Sequence, residues 1–245
     1  MKGQDEGWSS KIACFDGIAV ADMDIQQILP KLPEGEELYS GCFQIMTLTP
    51  GTATDKTYIY LTAEDAAGVD DIAEPAWFDD GMNYRLTGDN AVFFAPGEGF
   101  LVSSDIGGST VTFAGEVATG ATISELGSGW TFKGNNALQA LDIQAIKVGT
   151  ECDQDGNLST PVDDLYSGAF QIMTLTPGTA TDKTYIYLTA GDAEGVDGDA
   201  SEGWFDDGMN YRLTGDNAVS FEVGDGFLVS SDYDSAFIKI PGNQL

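Results

Sequence analysis

The sequence predicts an all-β fold made of two tandem antiparallel β-sandwich domains of the jelly-roll-like type. Two observations support this prediction: a long internal repeat, and short alternating segments separated by turn-forming residues. The stretch Leu38–Asp105 returns as Leu165–Asp232 at a constant offset of 127 residues, and 56 of the 68 aligned positions are identical. We therefore expect two domains, residues 1–127 and residues 128–245, which we call the first and the second repeat.

A β-hairpin is predicted near the start of the duplicated stretch. Phe43–Thr49 and Thr57–Leu61 alternate with period two and are rich in β-branched and aromatic residues. The six residues between them are turn formers, which join two neighbouring strands into a hairpin. The same run returns unchanged in the second repeat.

A second hairpin is expected from Trp77-Phe78 to Asn83–Leu86, because the Asp79-Asp80-Gly81 segment supplies a corner with positive φ. Shorter strands are predicted further along the chain, at Ala91–Phe94, Gly99–Ser103 and Thr110–Phe113. No long window keeps a helical period. The best helical segment is Asp22–Leu29, which is short and ends before a proline.

The charge of the chain limits the classes of function. There are 40 acidic and 10 basic residues, a formal charge of −30, and no histidine. Such a surface repels nucleic acid and anionic lipid, and no apolar run reaches the ~20 residues of a membrane span. The lack of histidine excludes Ser-His-Asp and Cys-His catalysis and most zinc sites. We therefore expect no nucleic-acid binding, no membrane insertion and no enzymatic activity.

One carboxylate pair remains as a catalytic candidate, Asp79-Asp80 with its copy Asp206-Asp207. Neighbouring aspartates before a glycine are typical of a turn, which is the preferred interpretation. Among the three cysteines, Cys14 and Cys42 lie in the same repeat and could pair; the alternative is that all three are small buried residues.

An acidic loop in the second repeat is a candidate calcium site. Its oxygen ligands alternate around Gly156, which permits a sharp turn, and two further aspartates could complete the set. The candidate ligands are Asp153, Asp155, Asn157, Asp163 and Asp164. The alternative is an Asp/Asn/Gly surface turn. The loop has no counterpart in the first repeat.

Two aromatic pairs are candidates for sugar binding: Trp77 with Tyr84, and Trp204 with Tyr211. Aromatic rings on a β-sandwich can stack on the faces of pyranose rings. The alternative is that each tryptophan closes the core beside the hairpin, because large aromatic side chains are mostly buried.

The segment Ala95–Val102, followed by Ser109–Phe113, resembles a Pro-Gly-x-Gly-Phe-x-Val β-module of large secreted and surface-attached bacterial proteins. Gly129-Trp130 with Gly134-Asn135 is similar to the Gly-Trp-x-x-x-Gly-Asn segment that begins this module. The first repeat lacks the Gly-Asn, and the second lacks the proline of the Pro-Gly turn. The resemblance implies an extracellular accessory or structural domain and transfers no catalytic residue.

These observations lead to an expected function. We expect a non-enzymatic structural or adhesive protein, extracellular or at the cell surface, that assembles with itself into a surface layer or filament. Assembly would proceed head to tail between repeats, or by strand addition through the segments near Trp8–Val20 and Phe237–Leu245. The alternative function is a tandem carbohydrate-binding module with glycans as partners.

Overall fold

The computed structural model describes residues 7–12, 23–48, 56–95, 97–112, 120–135, 139–160, 165–174 and 183–242. It confirms the predicted all-β, sandwich-type fold: the described residues form antiparallel sheets with two short α-helices.

In the first repeat, the described strands are β1 (Gly7–Ile12), β2 (Met23–Asp24), β3 (Leu29–Lys31), β4 (Phe43–Thr47), β5 (Lys56–Leu61), β6 (Ala76–Asp79), β7 (Phe93–Phe94), β8 (Gly99–Ser104), β9 (Thr110–Thr112) and β10 (Thr122–Leu126), and helix α1 is Ala63–Asp70. In the second repeat they are β11 (Gly129–Gly134), β12 (Leu141–Asp142), β13 (Lys147–Gly149), β14 (Glu151–Cys152), β15 (Leu158–Ser159), β16 (Phe170–Thr174), β17 (Lys183–Leu188), β18 (Gly203–Asp206), β19 (Ser220–Phe221), β20 (Gly226–Ser231) and β21 (Ala236–Ile240), and helix α2 is Ala190–Asp197.

Each repeat contains a five-stranded antiparallel sheet with the same strand order. The order is β1-β8-β4-β5-β6 in the first repeat and β11-β20-β16-β17-β18 in the second. In the first repeat, one face of this sheet packs against the short β2-β7 and β3-β9 sheets, and apolar side chains from both layers form one core. Phe43, Phe100 and Val102 are fully buried there, as the alternation of inward and outward side chains requires.

The predicted hairpin of β4 and β5 is confirmed, because Ile45 pairs with Tyr58 in an antiparallel register. Its turn lies outside the described residues. The second hairpin is shorter than predicted: Phe78 and Arg85 form a single bridge, and no second strand follows within the described segment. The positive φ at its corner belongs to Met82, at 53°, and not to Gly81 as predicted.

The helices α1 and α2 were not predicted, and each covers part of the sheet face that points away from the core. Ala66 of α1 is buried with Leu61 and Phe78 in a second apolar cluster. The side chain of Thr62 accepts a hydrogen bond from the Asp65 amide and so caps the helix. The predicted helical segment Asp22–Leu29 instead contains a 3-10 turn at Ile25–Gln27, and its first residue lies outside the described part of the chain.

The boundary expected between residues 127 and 128 stays a prediction. Strand β10, which lies just before it, pairs along its whole length with β21 near the end of the chain. The resulting sheet has the order β10-β21-β13, so the segment Thr122–Leu126 is joined to the second repeat by hydrogen bonds. Cys42 is a buried free thiol and Cys152 an exposed one, whereas Cys14 lies outside the described residues.

Candidate functional site: a cleft present in both repeats

The two tryptophans of the predicted sugar platforms are core residues. Trp77 and Trp204 have no exposed surface. The indole N–H of Trp77 donates to the carbonyl oxygen of Ile28 at 2.8 Å, and that of Trp204 donates to Ile146 at 3.0 Å. Neither ring can stack on a ligand, so the Trp–Tyr pairing expected from the sequence is not a surface platform.

The backbone around each tryptophan is held by a glutamine from an earlier segment. The side-chain amide of Gln26 donates to the carbonyl of Trp77 and accepts a hydrogen bond from its N–H. Gln144 makes the same two contacts with Trp204. The edge strands β6 and β18 are therefore already paired at these positions, which leaves no free ladder there for strand addition.

The tyrosines of the predicted pairs are exposed. Tyr84 is 44% exposed and Tyr211 is 43% exposed, each on the loop that follows its edge strand. The carboxylate of Asp79 fixes this loop, because it accepts hydrogen bonds from the backbone N–H groups of Asn83 and Tyr84 and from the Asn83 side chain. Asp206 holds Asn210 and Tyr211 in the same way.

These hydrogen bonds favour the ionised carboxylate form of Asp79 and Asp206. Partial burial raises the pKa of each carboxyl, but the hydrogen bonds from the tyrosine amide and the asparagine outweigh it, so both pKa values lie below the ordinary value. A general acid at neutral pH requires a raised pKa. The lowered pKa does not suit the role of a general acid, and what the hydrogen bonds show is that Asp79 and Asp206 hold the loop in place.

A cleft lies beside this loop in each repeat. It has a volume of about 380 Å³ in the first repeat and about 460 Å³ in the second. The pairing of Tyr58 with Asp79 brings its walls together from β5, from the Tyr84 loop and from the 3-10 turn at Gly88–Asn90. In the first repeat the lining residues are Lys56, Thr57, Tyr58, Asp79, Asp80, Tyr84, Leu86, Asp89, Asn90, Ala91 and Val92.

The lining of the two clefts is identical at every position. Each lining residue of the first repeat has the same residue 127 positions later in the second. Leu86 and Tyr58 give the cleft a buried floor, whereas Asp80 and Asp89 are exposed at its rim. The arrangement offers one exposed aromatic ring, hydrogen-bond acceptors of negative charge and a single lysine.

An arginine connects the loop beside the cleft to the neighbouring helix. The guanidinium of Arg85 binds the Asp70 carboxylate at 2.6 Å and the backbone carbonyls of Ile72 and Glu74, and it lies 5.0 Å from the centre of the Phe78 ring. This contact lowers the pKa of the Asp70 carboxyl. Arg212 repeats the arrangement in the second repeat with Asp197 and the Phe205 ring. The only two arginines of the chain are thus internal connectors.

The candidate calcium loop is the tip of the β14–β15 hairpin. The Asp153 carboxylate accepts hydrogen bonds from the amides of Asp155 and Asn157 and from the Asn157 side chain. The side-chain bond from Asn157 is the main cause of the lowered pKa of Asp153. Asp163 and Asp164 lie outside the described residues. In the part of the chain that is described, no group of three or more acidic or cysteine side chains is arranged to hold a metal ion, and calcium binding stays a prediction.

The segment Phe237–Leu245, a candidate for strand addition, is largely occupied within the chain. Phe237–Ile240 belongs to β21, which lies between β10 and β13 and pairs with both. Its donation to another chain would break both ladders. The other candidate begins in β1, which pairs with β8, and continues into residues outside the described part.

Sequence reasoning found Tyr84 and Tyr211, and named Asp80 only as a catalytic candidate, but missed Lys56, Asp89 and Asn90 beside Tyr84. A usable signal was present: the run from Trp77 to Val92 is identical in both repeats, although substitutions occur immediately before and after it.

Comparison of the chain with protein-family models, with curated proteins and with solved structures found no match. Within the described residues, no helix has the length and apolar character that a membrane crossing needs.

Proposed function

We propose that this protein is a non-enzymatic adhesive protein that binds glycans through two equivalent clefts, one in each repeat. The observation that carries the proposal is the duplicated cleft, with an exposed tyrosine and the same eleven lining residues in both copies. Two equal sites on one chain let it hold two sugar chains, or one chain at two points, and so gain avidity.

The chemistry of the lining favours sugars over other small ligands. The ring of Tyr84 offers an apolar face at the cleft, and stacking on such faces is worth about 0.5–1.5 kcal/mol. The carboxylates of Asp80 and Asp89 accept hydrogen bonds from hydroxyl groups, and Asn90 both donates and accepts. Because these carboxylates and the net charge of −30 repel anions, neutral or amine-bearing sugars are the expected ligands.

The proposal includes an extracellular or cell-surface location. It is supported by the resemblance of the Pro96-Gly97 segment to modules of secreted bacterial proteins. The turn at this segment has Gly97 at a φ of 75°, and Gly224 takes the same conformation in the second repeat. Asn135, from the other part of the resemblance, is fully buried and donates to the carbonyls of Gln139 and Phe221.

Titration calorimetry with the oligosaccharide that binds most strongly in a glycan array tests the function. We expect two ligands per chain. Tyr84→Ala should leave one site of full affinity and reduce the affinity of the altered cleft about tenfold, and adding Tyr211→Ala should weaken both sites. Tyr39→Ala and Tyr166→Ala remove exposed tyrosines outside the clefts and should change nothing. Binding that survives in Tyr84→Ala/Tyr211→Ala at full affinity would refute the proposal.

Calcium is a separate part of the proposal. Binding of a divalent cation to the folded state alone raises the melting temperature. We expect a higher melting temperature in millimolar calcium than in chelator at matched ionic strength, and a smaller gain in Asp153→Ala. Asp192→Ala removes a carboxylate that lies outside this loop and serves as the control. Equal melting of the native chain in both buffers would leave only diffuse screening of the charge.

A further inference from the structure

Apart from the pairing of β10 with β21, the two repeats contact each other through equivalent strands. Across the repeats, β8 contacts β11 and β1 contacts β20, and there are further contacts between β1 and β11 and between β8 and β20. By position in the sheet, β1 corresponds to β11 and β8 to β20. Exchanging the repeats therefore turns this set of contacts into itself, which is the property of an isologous, twofold interface.

Equivalent serines on the outward faces of the two sheets are buried to the same extent. Val102 faces the core of the first repeat, so its neighbour Ser103 points to the opposite face. Ser103 is only 7% exposed, and its equivalent Ser230 is 6% exposed. In the second repeat Phe132 and Leu228 are buried on this same outward face. A head-to-tail contact would bury this face in one repeat only.

Glu98 of the first repeat and Lys133 of the second form an antiparallel bridge. Gly99 permits it, since a Cβ atom there would lie 2.8 Å from the backbone nitrogen of Lys133. Lys133 is 8% exposed, and its burial lowers the pKa of the ammonium group, opposed by the charge of Glu98. In the described part of the chain, this bridge pairs the buried Lys133 with an acidic residue of the other repeat.

The residues needed for the reciprocal contact, from the first strand of the first repeat to the residue before β20, are also present. Lys11 of β1 pairs with Phe100, as Lys133 of β11 pairs with Phe227. Asp225 precedes β20 by one residue, as Glu98 precedes β8. Each repeat therefore carries one lysine and one acid at equivalent positions relative to its strands.

We infer that the face formed by β1 and β8 in the first repeat, and by β11 and β20 in the second, is a self-recognition surface, whose partner is the equivalent face of the other repeat in the same chain or in a second copy of this chain. The twofold relation requires a second bridge, between Lys11 and Asp225. Because every chain carries both surfaces, the second repeat of another chain fits the first repeat as well as the chain's own second repeat does. Contact within one chain is favoured over contact between chains, because the effective concentration of the chain's own second repeat is in the millimolar range for short linkers.

Cysteine cross-linking in the full chain tests this surface. The background carries Cys14→Ser, Cys42→Ala and Cys152→Ser, in which alanine at 42 copies Ala169 of the second repeat. Two variants are compared, Glu98→Cys/Lys133→Cys and Lys11→Cys/Asp225→Cys. After mild oxidation in dilute solution, both should form a disulfide within the monomer, to the same extent within about twofold. The four single-cysteine variants control for random oxidation.

A disulfide in the first variant with free thiols in the second would overturn the twofold relation, and free thiols in both would overturn the contact itself. Refolding at protein concentrations near 1 mM then tests the second copy. We expect disulfide-linked oligomers from both variants at this concentration, and monomers after refolding a thousandfold more dilute. Monomers alone at both concentrations would show that the surface does not accept another chain.

Discussion

Two neighbouring regions of each repeat differ sharply in how far the copies have diverged. The helix and loop at 63–76 differ from 190–203 at seven of 14 positions, whereas the run 77–92 is identical to 204–219. The loop nevertheless keeps its conformation, because Arg85 and Arg212 bind its backbone carbonyls together with the carboxylate of Asp70 or Asp197, which both copies retain. In the run 77–92, exposed side chains such as Met82 and Tyr84 are kept although the core does not need them.

This difference separates two kinds of constraint. Where neighbouring residues contact only the backbone of a segment, the side chains of that segment can change without loss of structure. Where exposed side chains stay the same between two copies of one fold, packing does not explain them, whereas binding of the proposed ligand would. The predictions below test the division, beginning with the largest expected effect.

Removal of either tryptophan should cost the most. Trp77→Ala and Trp204→Ala each leave a cavity in a core and should lower the free energy of unfolding by about 3–5 kcal/mol. Chemical denaturation followed by circular dichroism measures the loss, with Tyr84→Ala as a control expected to stay below about 1 kcal/mol. A small effect of both tryptophan variants would mean that these rings are not the centres of the two cores.

The arginines should matter more than the loop residues that they bind. We expect Arg85→Ala to lower stability by about 1–3 kcal/mol, and Arg212→Ala to do the same. The double variant Ile72→Asp/Glu74→Ser copies the second repeat and should stay within about 0.5 kcal/mol of the native chain. Differential scanning calorimetry distinguishes these cases. A large loss in the copied loop would show that its side chains carry more than backbone contacts.

Acid should weaken the loop beside the cleft in a defined range of pH. The folded-state pKa of Asp79 is lowered, so its contribution is fully present above its ordinary pKa of 3.8 and is lost as the pH falls through the folded-state value. The stability gap between the native chain and Asp79→Asn should therefore be largest above pH 3.8 and close below it. Urea unfolding across this pH range measures the gap. The effect of overall charge on stability is common to both proteins and cancels in the difference. A stability gap that does not change with pH would show that ionisation of the Asp79 carboxyl is not its cause.

The smallest expected effect concerns the ends of the helices. Asp71 ends α1 with a φ of 64°, and Gly198 ends α2 with a φ of 79°. Glycine adopts this conformation without strain, so Asp71→Gly should stabilise and Gly198→Asp destabilise, each by up to about 1 kcal/mol. Thermal unfolding of the two variants gives the comparison. Shifts of the same sign would indicate that side-chain contacts, not the backbone, decide this position.

The strands could be predicted from the sequence because their signal is local. Alternating apolar residues define β4 and β5, and six turn formers define their connection. Helix α1 escaped prediction because it buries only Ala66 and has almost no apolar period. Its cap, Thr62 with Asp65, was the available signal.

The cleft and the burial of the tryptophans depend on contacts between residues that are distant in sequence. Trp77 is buried because Ile28 and Gln26, about fifty positions earlier, satisfy its polar groups. The cleft exists because β5 and β6 pair with Tyr58 opposite Asp79. No local pattern encodes either relation.

The position of β21 in the middle of its sheet has a consequence for synthesis. Strand β10 leaves the ribosome more than a hundred residues before its partner, and β13 also waits for the same strand. A chain released before Ala236 would present two unpaired ladders at once, together with the apolar side chains of Leu126 and Val148. Synthesis through β21 is thus a condition for closing this sheet, and products that stop before it would be open to proteolysis and aggregation.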